Sequence, residues 1–257
     1  MIKIKSDSNL ELMRKSGKIC ADTLSYLSSL CQPGVTGVEL DKKAEEFIRD
    51  HNAIPATIGY RGYKHSICLG INNFVVHCPP TNLPIKDGDL VKFDLVVSFQ
   101  GWCSDSALTL LVPPIRPEVE KFVETTKAAL WRGIEKAVEG NYVGDISQAI
   151  FDEADKNGYG VVIPFVGHGI GFNVIHEAPQ IPNIPQKTKG SMLVQNETIC
   201  IEPIFTMFKD AGVYFKDNEW ATFTLNGGLA AHAEHTILIT KDKAEVLTLK
   251  KGEKYGG

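Results

Sequence analysis

The stretch Leu90-Val91-Lys92-Phe93-Asp94-Leu95-Val96-Val97-Ser98-Phe99-Gln100-Gly101-Trp102-Cys103-Ser104-Asp105 decides how this chain is read. Two strand-like runs flank Gln100-Gly101, which reads as a tight hairpin turn and sets Phe99 opposite Trp102. Counting back along an antiparallel ladder, Val96 faces Asp105 and Asp94 faces Ala107. The two aspartates then share one sheet face as diagonal neighbours, their backbones roughly 7 to 8 Å apart. Alternation places Val91, Phe93, Leu95, Val97 and Phe99 on a core face and Asp94 on the other. A three-residue loop would shift this register and part the pair, and a merely solvated second face would give Asp94 no role.

Other charges stand where charge is costly. Glu202 follows Ile199-Cys200-Ile201, and Glu234 opens the apolar run Glu234-His235-Thr236-Ile237-Leu238-Ile239. His168 lies among glycines in Val166-Gly167-His168-Gly169-Ile170-Gly171, where backbone can approach a ligand closely and the imidazole stays reachable. Each residue alone would pass as an ion-pair partner or a structural histidine. Buried carboxylates must be paired, protonated or bound to metal. Asp94, Asp105, Glu202 and Glu234 brought together would repel strongly, and two divalent cations would balance them. One imidazole among several carboxylates suits Mn, Fe, Co or Zn, whereas calcium prefers oxygen alone.

Working outward, Leu10, Met13, Cys20, Leu24 and Leu27 recur at helical steps, with Ser8 and Glu11 as a capping box. A second helix follows Pro33-Gly34-Val35-Thr36, capped by Thr36 and Glu39, with Leu40, Ala44 and Ile48 on one face. Strands are predicted from 65 to 112, among them Ser66-Ile67-Cys68-Leu69 and Phe74-Val75-Val76, until Pro113-Pro114. The order then starts over. A long helix from Pro117 carries Val119, Phe122, Val123, Leu130, Ile134 and Val138, a shorter one follows, and strands are predicted near 161–166, 198–205 and 234–247. Gly140, Ile146, Ile150, Ala154 and Gly158 repeat the spacing of Gly34, Leu40, Ala44, Ile48 and Asn52. This fits an internal duplication, although any two amphipathic helices share such spacing. The fold class expected is α+β.

At 257 residues the chain has length for one large domain or two small ones. A net charge of −4 with mixed signs offers no basic tract for a phosphate backbone, so no direct nucleic-acid binding is expected. Cys20, Cys31, Cys68, Cys78, Cys103 and Cys200 form no CxxC pair and suit a reducing compartment. The first residues lack a signal-peptide core and no run of about 18 apolar residues exists, so the expected location is cytoplasmic, away from membrane.

These residues resemble the methionine aminopeptidases of the M24 metallopeptidase family, especially the type I bacterial kind. The likeness spans nearly the whole chain. It runs through Gly59-Tyr60-Arg61-Gly62-Tyr63, Ser66-Ile67-Cys68, Ile71-Asn72-Asn73 and Lys86-Asp87-Gly88-Asp89. It continues in Gly167 to Gly171, His176-Glu177, Ile201-Glu202-Pro203 and Glu234-His235-Thr236. The resemblance implies the pita-bread fold, in which a curved antiparallel sheet is covered by helices. It also implies one catalytic domain over 1–257 with pseudo-symmetric halves of about 1–113 and 114–257.

By the same resemblance Asp94 chelates one metal, Asp105 and Glu234 bridge both, and His168 and Glu202 complete the second. A metal-bound hydroxide is then the nucleophile and Glu202 also moves its proton. His77 and His176 are expected to contact substrate and stabilise the tetrahedral intermediate. Tyr60, Tyr63, Cys68, Ile175 and Trp220 would wall a methionine pocket. The implied cofactor is two divalent ions per chain, Co, Mn, Fe or Zn. The implied substrates are N-termini of newly made polypeptides with a small second residue, met by a monomer that works at the ribosome.

Two departures bear on the pocket: the His168 to His176 segment is one residue longer than the usual type I spacing, with Ile175 where phenylalanine is usual. Cys78 also follows His77 where glycine is common. An X-Pro peptidase of the same fold, which usually carries an extra N-terminal domain, and a metal-free binding module are the alternatives.

Overall fold

The computed structural model describes residues 5–215 and 220–255. Its first part runs α1 (Asp7–Leu30), α2 (Gly37–Asp50), β1 (Ile54–Pro55), β2 (Cys68–Ile71), β3 (Leu90–Phe99) and β4 (Trp102–Leu111). Then come α3 (Pro117–Lys136), α4 (Val143–Asn157), β5 (Gly160–Val161), β6 (Gly167–Gly171) and β7 (Val174–Ile181). The chain continues as β8 (Thr198–Ile201), β9 (Ile204–Thr206), β10 (Val213–Phe215), β11 (Thr222–Thr224), β12 (Ala230–His232), β13 (Glu234–Leu238) and β14 (Glu245–Val246).

The hairpin has the register counted from the sequence. Phe99 pairs with Trp102, Val96 with Asp105 and Asp94 with Ala107. Gln100 (φ 50°) and Gly101 (φ 84°) both take the left-handed backbone, the geometry of a two-residue turn whose twist matches that of the flanking strands. Val91, Phe93, Leu95 and Val97 are wholly buried against Leu24 and Leu27 of α1 and Leu40, Ala44 and Ile48 of α2. Each large apolar side chain so buried contributes about 1.5–3 kcal/mol.

The main sheet has nine antiparallel strands in the order β1-β3-β4-β13-β8-β6-β7, with β2 also on β3 and β14 also on β13. β13 is the hinge of this order, pairing with β4 on one side and β8 on the other. Ile199, Ile201 and Ile237 from β8 and β13 pack with Phe122, Leu130 and Ile134 of α3 and Ile146 and Ile150 of α4. Two helix pairs therefore cover one face, and the carboxylates stand on the other.

Hydrogen bonding recurs between the two parts. Gly34 N donates to Ile85 O (2.9 Å) and Ile85 N to Val35 O (2.8 Å); Gly140 N donates to Leu193 O (3.1 Å) and Leu193 N to Asn141 O (2.7 Å). Next along the chain, Asp89 Oδ2 accepts from Lys86 N (2.8 Å) and Glu197 Oε2 from Val194 N (3.3 Å). Asp94 follows Asp89 at the spacing at which Glu202 follows Glu197.

Several local expectations are corrected. α1 is capped by Ser6, whose Oγ accepts from Asn9 N (3.4 Å), so Ser8 lies inside the first turn. The reciprocal Thr36–Glu39 box is present as read. Ser66 and Ile67 precede β2 as loop, because their N–H groups donate to Asp41 Oδ1 (2.7 and 3.1 Å) and not to a strand. Phe74-Val75-Val76 forms no named strand: Phe74 bridges Phe223, Val75 N donates to Thr222 O (2.7 Å) and Val76 O accepts from Thr222 N (3.4 Å). The 161–166 strand stops at Val161, before Pro164, and the 234–247 run is broken between β13 and β14. Among the described residues no helix is long and apolar enough to cross a membrane.

α1 also touches the C-terminal segment, where a Cβ added to Gly17 would lie 2.3 Å from Leu247 O. Gly17→Ala is expected to destabilise by about 1–3 kcal/mol, because overpacking against backbone outweighs the gain in helix propensity of about 1 kcal/mol. Urea unfolding checks this through a lower midpoint at unchanged slope; a raised midpoint would contradict the close contact.

Candidate metal centre and its cavity

Two neighbouring rows across the sheet carry the polar cluster. In one, Asp94 faces Ala107 and Ala107 faces Glu234, with Glu202 just past the end of the adjacent β8. In the other, Asp105 is bonded to Thr236, Thr236 pairs with Cys200, and Cys200 with His168. Directly opposed residues share a face, so side chains far apart in sequence converge.

The ligand atoms of Asp94, Asp105 and Glu234 all lie within 4.8 Å of one another. His168 Nε2 lies 3.8 Å from Asp105 Oδ2, 3.6 Å from Glu202 Oε1 and 3.9 Å from Glu234 Oε1. The two groups overlap at Asp105 and Glu234. Asp105 Oδ1 and Glu234 Oε1 are buried without a hydrogen-bond partner, which a cation would remedy.

Electrostatics point the same way. Burial raises the Asp94 carboxyl to about 7, opposed by a hydrogen bond with Asp105. Asp105 is pushed well up by burial and then by Asp94, Glu202 by burial and then by Asp105 and Asp94. Glu234 is raised by burial, then by Asp105, Glu202 and Asp94. Burial lowers His168 to about 3, with His176 adding to it. Carboxylates that resist ionisation together and an imidazole that stays neutral are matched to divalent metal, which supplies the missing positive charge.

Local backbone sets these positions. A Cβ on Gly167 would lie 2.3 Å from Cys200 O, and one on Gly169 2.3 Å from Ala178 O, so glycine on both sides of His168 lets β6 fit between its neighbours. His168 Nδ1 faces Gly169 O at 3.1 Å; a proton there leaves the Nε2 lone pair toward the carboxylates. Between β4 and β13, Thr236 Oγ1 donates to Asp105 O (2.7 Å) and accepts from Asp105 N (2.8 Å). Ser106 Oγ donates to Glu234 O (2.7 Å).

The cluster forms the floor of a cavity of about 720 Å³ whose lining includes Tyr60, Tyr63, Cys68, His77, Ile175, His176 and Trp220. Of the site residues singled out in the sequence, Glu234 is outside this lining and joins the others through Asp94, Asp105 and His168. Tyr63 and Trp220 stand edge to face with ring centres 5.0 Å apart. Tyr60 Oη lies 2.7 Å from His176 Nδ1, and the His176 ring centre is 4.3 Å from that of His168. His77 has φ 56°, a left-handed backbone unusual for a non-glycine residue and typical of functional sites. Burial and then His176 bring its imidazole down to about 4.

Around Ile175, β6 and β7 pair with register shifts between His168 and Gly169 and between Gly169 and Gly171. Phe172 at the tip of this hairpin packs on Trp102 (5.4 Å). Sequence reading missed Phe165, whose ring meets His77 edge-on at 5.1 Å, because it sits in a loop without periodicity. It also missed His232, whose position two residues before Glu234 was an available signal.

The profile of metallopeptidase family M24 matches residues 11–241. The chain belongs to metallopeptidase family M24. Among M24 proteins, the methionine aminopeptidase of Clostridium acetobutylicum is 40% identical over 97% of this chain and 99% of that protein. The crystal structure of methionine aminopeptidase from Rickettsia prowazekii superposes with a TM-score of 0.94 at 36% identity, covering 97% of this chain and all of that one (100%). The prolidase from Pyrococcus furiosus shares the fold at a TM-score of 0.76 and 23% identity, and this chain covers 65% of it. The fold is thus the α+β pita-bread fold, and the M24 chemistry depends on divalent metal.

Thr236→Val keeps the shape of the side chain but leaves the Asp105 N–H and C=O unpaired. A loss of about 1–3 kcal/mol for each buried orphan group is expected, together with weaker metal binding. Urea unfolding and calorimetric metal titration measure the two effects, and unchanged values in both would remove the positioning role of Thr236.

Proposed function

We propose that this chain is a two-metal methionine aminopeptidase that removes the initiator methionine from newly made polypeptides whose second residue is small. The observation that carries the reading is the carboxylate–imidazole cluster at the floor of a cavity walled by aromatic rings and a thiol. In this reading Asp94, Asp105, His168, Glu202 and Glu234 would hold the ions, which would be Co, Mn, Fe or Zn. Bound there, they would lower the pKa of water and polarise the scissile carbonyl.

The chain's own groups do the rest. Glu202 takes the proton of the attacking water on a carboxylate oxygen and delivers it to the departing amine. His176 has its Nδ1 occupied by Tyr60 Oη, which leaves Nε2 for the substrate. His77, neutral through burial, lines the same cavity and donates to the oxygen on which charge develops. Tyr63, Cys68, Phe165, Ile175 and Trp220 enclose the methionine side chain, whose polarisable thioether suits aromatic edges and sulfur. We further infer one catalytic domain over 1–257 with pseudo-symmetric halves meeting near 113–114, supported by the recurring turn bonds. It acts as a monomer in the cytoplasm, on chains emerging from the ribosome.

The assay is methionine release from Met-Ala-Ser by metal-loaded protein, with proline-containing dipeptides as the contrast. Release of methionine and inertness toward the proline substrates are expected; full metal occupancy without methionine release would sink the reading. Chelation is expected to abolish release, and divalent metal to restore it. Glu202→Ala is expected to lower turnover by at least about 10²–10⁴-fold. His77→Ala is expected to lower kcat by about 10²–10³-fold with little change in KM; wild-type kcat in either variant rejects its assigned role.

A further inference from the structure

His232 ends β12 and is 2% exposed, and neither ring nitrogen has a hydrogen-bond partner. A buried imidazole with both nitrogens unpaired is costly, and such a group calls for a missing partner. Its Nε2 lies 3.8 Å from Glu202 Oε2 and 3.9 Å from Glu234 Oε2. His168 Nε2 lies 3.6 and 3.9 Å from the Oε1 atoms of the same two glutamates. The two imidazoles thus flank one pair of carboxylates from opposite oxygens.

The separations are too long for hydrogen bonds. They lie just above the spacing of donors around one ion, which tetrahedral bonds of about 2.0–2.2 Å place about 3.3–3.6 Å apart. Nor is the ring placed by chance. Thr109 Oγ1 donates to His232 O and accepts from His232 N, both at 2.9 Å, and Lys92 Nζ donates to Ala230 O (3.0 Å). β12 is therefore held at Ala230 and at His232, which fixes the backbone that carries the ring.

We propose that His232 Nε2 is a second imidazole ligand of the metal centre, opposite His168 on the Glu202–Glu234 pair. This rests on the two-metal reading above and extends it. A second nitrogen donor shifts the site from oxygen-preferring Mn toward Co and Zn. His232 then sets metal preference, not substrate contact.

The experiment uses Co(II)-loaded full-length protein. Paramagnetic proton NMR is expected to give two exchangeable imidazole N–H resonances shifted by the ions in wild type and one in His232→Gln. Calorimetric titration of His232→Gln with Co(II) is expected to show one site weakened at least about 10-fold, with a smaller loss for Mn(II). Urea unfolding of the metal-free variant establishes that it folds. One shifted imidazole resonance in wild type, or wild-type Co(II) affinity in the folded variant, overturns the proposal while leaving the two-metal reading intact. Wild-type protein that takes up no Co(II) overturns both. If the variant fails to fold, the resonance count in wild type decides alone.

Discussion

Four carboxyl groups cannot all carry charge on one buried patch of sheet unless cations lie among them. Asp105 and Glu234 are almost wholly enclosed, and burial pushes both carboxyls up, Asp94 adding to the shift of Asp105 and Asp105 to that of Glu234. Without metal the cluster would have to hold protons, and its orphaned oxygens would remain unpaired. The attraction between these oxygens and divalent ions is the interaction around which the fold is arranged. It gives charge to a sheet face whose reverse side is a hydrocarbon core.

That arrangement depends on keeping backbone rows in register. The seam between β4 and β13 has few ladder pairs, and hydroxyl groups extend it. Thr236 bonds both main-chain groups of Asp105, and Thr109 does the same for His232, on either side of the Glu234–Ala107 pair. Hydroxyls that replace backbone partners let the strands diverge there without leaving buried groups unsatisfied. The two helix pairs on the reverse face supply the apolar burial that offsets this polar centre.

The cavity above the carboxylates combines two kinds of lining. His77 and His176 present neutral imidazoles. Tyr63, Trp220, Phe165 and Cys68 supply apolar and polarisable surface, and Phe165 and Trp220 both meet the His77 ring edge-on. Ile175 adds a branched aliphatic side chain to this lining, and the bulged β6–β7 hairpin carries it.

Periodicity and turn chemistry alone made the hairpin legible: Gln100-Gly101 set the register, and alternation put Asp94 and Asp105 on one face. The apolar stripes of the helices were equally local signals. The convergence of His168, Glu202 and Glu234 was legible only through family resemblance, because it depends on which strands pair across long stretches of chain. Phe165 escaped because loops have no period, and His232 because its importance depends on the oxygens it faces. Sequence by itself determined which elements form and which face each presents, since those follow from steric repeats within a few residues. Only the tertiary structure decided which charges meet and which buried nitrogen stays unpaired, because those depend on distances set by packing between distant segments.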